Sequence, residues 1–129
     1  MSRARDLADR VLHNRTHEDT EGGRESIVTF KGEQSGGEIS TLAQIQASHD
    51  GTADDQKADL IFRTNDGSDG TSPTTAMIID SAQNVGINAT PKATHADADV
   101  VRFGGTGYLA NWEDAEVYLS ENMYQDTSG

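Results

Sequence analysis

The chain contains no cysteine, which excludes a disulfide framework and any thiolate site. Large apolar residues are scarce. There are 6 Leu, 7 Ile, 6 Val and 3 Phe, so 22 of 129 residues. Joined to a formal charge of -12, that composition borders on the disordered class. No apolar run approaches the ~18 residues of a membrane helix. The opening stretch MSRARDLADRVLHNRT is charged throughout and lacks the apolar core of a secretory signal. The expectation is synthesis in a cytoplasm without a cleaved leader. Aromatics are few, 1 Trp, 3 Tyr and 3 Phe. That leaves little for base stacking or for platforms under a sugar.

Charge is placed unevenly. Residues 1–31 hold six Lys/Arg and six Asp/Glu, whereas residues 32–129 hold four and sixteen. An acidic body repels nucleic acid and anionic membrane alike, so neither is expected as a partner.

What apolar residues there are fall in short alternating runs. SIVTFKG (26–32), EISTLAQIQAS (38–48) and KADLIFRTN (57–65) read as strands, followed by AMIID and NVGI. In the second run Ile39, Ala43, Ile45 and Ala47 alternate with Leu42, Gln44 and Gln46, so period two puts the first set on one face. In the third, Leu60 and Phe62 share a face and Ile61 takes the other. The joining segments EQSGGE, HDGTADDQ, NDGSDGTSPT and DSAQN carry turn chemistry. The spacing predicts an antiparallel meander, mainly β. Further on, DVVRF reads as a strand and GGTGY as a turn. NWEDAEVYLS stays ambiguous between a helix capped by Asn111 with Asp114 and a strand through EVYLS. At the other end, Ala4, Leu7, Ala8, Val11 and Leu12 lie at helical spacing. They predict a short amphipathic helix over 3–13 that needs a partner to be stable. Three regions follow: a helix and linker over 1–25, a hairpin body over 26–91 and an irregular β segment over 92–129.

No site for chemistry emerges. His13 and His17 stand four apart but lack a third metal ligand. His49-Asp50 has no nucleophile elbow around it. Asp54 and Asp55 are adjacent and, in a strand, would point apart. Asp66 and Asp69 form a partial calcium-loop pattern without its distal Glu. The expectation is no catalytic, metal or cofactor site.

A chain this poor in apolar residues, with those it has so ordered, is expected to share its core with copies of itself. One stretch narrows this. Met77, Ile78, Ile79 and Asp80, then Asn84, Val85, Gly86 and Ile87, closed by Thr90 and Pro91, resemble the repeat of bacteriophage tail-fibre and tailspike shafts. KADLIFRTNDGSDGTSPTTAM and GGEISTLAQIQASHDGTADDQ are similar to the segments around that repeat in fibres of aquatic phages, as is VYLSENMYQD. The resemblance spans roughly residues 24–124. It departs at Gln83 and Asn88, where the repeat usually has Gly.

The resemblance implies an intertwined homotrimeric fibre. Its N-terminus would dock on a tail tube, adaptor or other tail protein of the virion, and its distal parts would reach the host receptor. The docking helix would use Leu7, Ala8, Val11 and Leu12. The trimer core would hold Ile39, Ile45, Leu60 and Phe62, with Ile79, Val85 and Ile87. The terminal YQDTSG is expected to continue into a longer fibre. Competing expectations are a glycan-binding module gripping ligands with loops 49–56 and 65–75, and a polysaccharide depolymerase.

Overall fold

The computed structural model describes residues 11–92, 98–112 and 116–121. Among them there is no helix. There are eight strands: β1 (Ser26–Glu33), β2 (Ile39–His49), β3 (Ala58–Thr64), β4 (Thr74–Ile79), β5 (Val85–Ile87), β6 (Ala98–Phe103), β7 (Gly107–Trp112) and β8 (Glu116–Glu121). They form one sheet in the order β1 to β8. Each strand packs only against its neighbours in sequence. The EVYLS ambiguity resolves as strand, β8, paired with β7 from Gly107↔Glu121 to Trp112↔Glu116. Of the segment expected to be helical, residues 1–10 lie outside the described residues. Val11 and Leu12 are in no regular element and are exposed.

The expected antiparallel meander holds from β1 to β5, and the next joint differs. β5 and β6 run parallel, with Val85 opposite Val101 and Ile87 opposite Phe103. A parallel pair cannot be closed by a tight turn, so β5 and β6 need a crossover connection. Gly86 permits the start of that crossing. A Cβ there would stand 2.1 Å from the Ala89 carbonyl oxygen and 2.9 Å from Pro91 N. Only glycine lets the returning backbone lie this close. The far side is tied down by Asn84, 3% exposed, whose side-chain oxygen accepts a hydrogen bond from Val100 N at 2.9 Å. Arg102 reaches back to the Thr90 carbonyl at 3.0 Å. The sheet thus continues unbroken past residue 91.

Two bulges set the register. Phe30 pairs with Ala43 but Lys31 pairs with Thr41, leaving Leu42 as the extra residue in β2. Phe62 pairs with Met77 but Arg63 pairs with Thr75, leaving Ala76 extra in β4. An extra residue has no partner in the ladder, so its carbonyl needs another donor. Asn65 N, just past β3, donates to Leu42 O at 2.9 Å, and Asn88 N, just past β5, donates to Ala76 O at 2.8 Å. The same device is used twice.

The bulge at Leu42 also breaks the alternation expected for β2. Beyond it Ile39 pairs with Glu33 and falls out of phase with Ile45. Leu42 changes sides with it: a Cβ on Gly32 would meet Leu42 Cδ1 at 2.8 Å, so Leu42 sits on the face of Phe30, not with Gln44 and Gln46.

Candidate self-association face

Residues opposite each other in a ladder present their side chains on the same face. Followed strand to strand, the register therefore traces columns that run across the sheet. One column goes from Val28 through Ile45, Phe62, Met77 and Ile87 to Phe103. The column beside it goes from Ala47 through Leu60, Ile79, Val85 and Val101 to Leu109, and on to Leu119. Both are apolar throughout. Six of the seven residues expected in a shared core, Ile45, Leu60, Phe62, Ile79, Val85 and Ile87, lie in these two columns. Ile39 does not.

This apolar face is open. Phe30 is 48% exposed, Phe103 44%, Val117 73% and Leu119 84%. Among the described residues no large side chain falls below 2% exposure. The buried apolar residues Ile61, Val100, Tyr108 and Ala110 lie on the opposite face, with the polar Ser48 and Asn84, whereas His49 is buried at the margin of the apolar face. The crossover explains this inversion, since Ala89 and Thr90 pass over Gly86 and Arg102 on that side. Arg102 completes the cover, its guanidinium 5.6 Å from the Tyr108 ring centre, within cation–π range. The sheet shelters a small mixed core on one side and leaves its principal apolar surface uncovered on the other.

A polar knot anchors the segment before β1. His49, 3% exposed, has Nδ1 3.2 Å from the Thr20 carbonyl, which can only accept, so that nitrogen carries a proton. Its Nε2 lies 3.1 Å from Arg24 Nη2 and 3.2 Å from Asp55 Oδ1. Arg24 holds a left-handed backbone, φ 49°. It donates to Glu18 O at 2.7 Å, Asp55 O at 2.8 Å and Asp19 Oδ1 at 2.6 Å. The Lys57 backbone N–H beside Asp55 holds its carboxyl below the usual carboxylate range. His49 and Asp55 therefore tie residues 18–24 to the β2–β3 loop. Asp54 lines an open cleft with His17 and Asp19. His13 and His17 are exposed and lie in no helix, so the four-residue spacing does not align them.

Next to the knot, Glu21, Asp50 and Asp59 bring carboxylate oxygens within 4.8 Å of one another. Asp59 Oδ1 is buried with no hydrogen-bond partner. Desolvation, then the charges of Asp50, Asp80 and Glu21, push its pKa up to about 6.

In the β3–β4 loop Asp66 and Asp69 are occupied by the loop itself. Asp69 accepts from Asp66 N at 3.0 Å, Thr74 N at 3.1 Å and Thr74 Oγ1 at 2.6 Å. Asp66 accepts from Ser68 N at 2.8 Å. The Thr74 hydroxyl, with the Asp66 and Thr74 N–H groups, holds the Asp69 carboxyl low. Asn65 likewise accepts from Gly67 N at 2.7 Å, so Asn65 and Asp66 form a pair of Asx turns and Asp69 ties that loop to the start of β4.

The sequence did not single out Arg24 as an organiser or Met77 and Phe103 as members of a column. Pairing AMII against NVGI as a hairpin would have found Met77, because it aligns Met77 with Ile87.

Comparison with protein-family models, curated proteins and solved structures returned no match for this chain.

Proposed function

We propose that the chain is a structural segment of a homotrimeric phage tail fibre or spike. It lies near the tail and links the virion to distal host-recognition parts. The observation that carries this reading is the open apolar face, whose two columns together reach from β1 to β8, on a chain whose described residues hold almost no private core. A monomer leaving it in water would forgo about 2 kcal/mol for each half-exposed Leu, Ile or Phe, at ~25 cal/mol per Å2. Copies of the chain recover that energy by covering one another.

The topology supports the same reading. Contacts only between consecutive strands make the sheet quasi-one-dimensional, as in repeat proteins. Such an object extends; it does not close on itself. The resemblance of Met77–Pro91 to fibre-shaft repeats adds the biological setting: a virion protein made in the host cytoplasm, docked through residues 1–13, acting without catalysis.

Light scattering coupled to size exclusion tests the assembly. A particle of three times 13.8 kDa is expected, and a compact monomer that melts cooperatively would overturn the proposal. Deleting residues 2–13 should leave a folded trimer of the shortened chain and abolish incorporation into tails.

A further inference from the structure

The geometry points to His49 as a two-position switch worked by a proton. Its Nε2 accepts from Arg24 when the ring is neutral and donates to Asp55 when the ring is charged. A proton taken from solvent thereby moves one bond of the ring from the segment before β1 to the β2–β3 loop.

The ring is held so that only one of its atoms can change. The His49 side chain is 1% exposed. Its backbone is clamped, with His49 N donating to Gly23 O at 2.8 Å and Gly22 N donating to His49 O at 2.9 Å. Nδ1 faces the Thr20 carbonyl at 3.2 Å and keeps its proton in both charge states. Nε2 is where the second proton comes and goes.

Two neighbours make opposite demands on Nε2. Arg24 Nη2, at 3.1 Å, can only donate, and Asp55 Oδ1, at 3.2 Å, can only accept while ionised. A bare Nε2 satisfies Arg24 and turns a lone pair on the carboxylate. A protonated Nε2 satisfies Asp55 and turns its hydrogen on the guanidinium. The two bonds exclude each other.

Whichever neighbour loses has a second partner. Nη2 carries two hydrogens. One goes to Asp19 Oδ1 at 2.6 Å; the other, released by His49, has the Ala53 carbonyl at 3.4 Å. Asp55 Oδ1, when His49 is neutral, still accepts from Lys57 N at 3.1 Å. Neither position strands a charged group.

Charged groups surround the ring from every side. The segment before β1 brings Arg24 and Asp19, with Glu18 accepting from Arg24 N and Glu21 from Gly51 N. The loop brings Asp54, which lines a cleft with Arg24, Asp50, which accepts from Ser81 Oγ, and Asp55 beside Lys57. β3 brings Asp59, opposite Ser48. Carboxylates outnumber cations, so a positive imidazole is not repelled by its surroundings. With the ring neutral, both of its nitrogens bond the segment before β1, through Thr20 and Arg24. With the ring charged, it bridges that segment to the loop, through Thr20 and Asp55. Acidification therefore tightens the loop on the ring.

The imidazole itself is the readout, because Asp59 titrates at about 6 and would confuse a stability curve. Nitrogen-15 NMR of the whole chain should show His49 with a proton on Nδ1 alone at about pH 8, and with protons on both nitrogens at about pH 5. Amide protection at Asp55 and Lys57, corrected for intrinsic exchange, should rise about tenfold over that interval, the worth of one hydrogen bond to a charged group. Asp55→Asn removes the charge that holds the imidazolium and should lower the midpoint of the titration by about one pH unit. Arg24→Gln removes the opposing charge and should raise it by about as much. Opposite displacements establish the switch. A ring with its proton on Nε2 at about pH 8 would overturn it. So would a single charge state across the whole interval, or midpoints unmoved in both variants. Where a variant does not fold, the tautomer and titration of the parent chain decide.

Discussion

Asn84 and Val100 are joined across the one parallel joint of the sheet: the Asn84 side-chain oxygen accepts from the Val100 backbone N–H at 2.9 Å, and both residues are 3% exposed. A turn residue thus closes the ladder for a strand sixteen positions later. Asn84→Ala leaves that N–H buried and unpaired, at a cost of about 1–3 kcal/mol. The urea midpoint should fall accordingly, and amide exchange at Val100 should quicken more than at Ile61. Unchanged exchange at Val100 would show that the bond does not hold the joint.

Gly86→Ala should be far more damaging. Its Cβ would stand against backbone atoms of Ala89 and Pro91, which cannot swing aside as a side chain could. A loss above about 3 kcal/mol, or failure to fold, is expected. Gly105→Ala, with open space around its Cβ, should stay within about 0.5 kcal/mol. Circular dichroism melts of the two variants decide the point.

Gln83 and Asn88 both hold left-handed backbones, φ 67° and 51°. These are the two positions at which the chain departs from the glycines of fibre-shaft repeats. An L-residue pays roughly 1–2 kcal/mol in this region, Asn less than Gln. Part is offset by the unfolded-state entropy of glycine. Gln83→Gly should therefore raise stability by about 0.5–1 kcal/mol and Asn88→Gly by less. A fall in melting temperature for Gln83→Gly would contradict the backbone argument.

Asp59 should make the fold sensitive to pH in an unusual direction. Its native pKa, about 6, lies above the unfolded value near 3.9. The native state then binds the proton more tightly. Its contribution is fully present below the unfolded value and is lost as pH rises through 6. Asp59→Asn removes the repulsion from Asp50, Asp80 and Glu21. It should be more stable than the parent chain at pH 7–8 and indistinguishable from it near pH 4. Denaturation series at both pH values test this; a gap that widens toward pH 4 would reverse the sign.

Much of the sheet is legible in the sequence. Alternation located β1 to β5 because each has β-branched or aromatic residues bounded by turn signals. Of the last hairpin, β8 was legible only as an alternative, since Asn111 with Asp114 could equally cap a helix, and β7 was hidden because GGTGY reads as a turn. What could not be read were the places where strict alternation stops. Nothing around Leu42 or Ala76 marks an inserted residue, yet each resets the facing of what lies beyond it. Ile39 was placed in the core on that account and lies out of phase. The parallel joint escaped for a different reason: its cause is a close backbone approach at Gly86, and a glycine in NVGI reads equally well as an ordinary turn feature. The polar knot was hidden because Arg24 acts through backbone carbonyls far away in sequence, which leave no pattern in the residues.

Strict succession from β1 to β8 has a mechanical consequence. Tension between the two edges of this sheet acts along its hydrogen bonds, so rungs would open one after another, as a zipper does, with little resistance at each step. A sheet of this kind can transmit pull only if something alongside it shares the strain across many rungs at once. The sideways grip between copies would then decide the tensile strength of the whole.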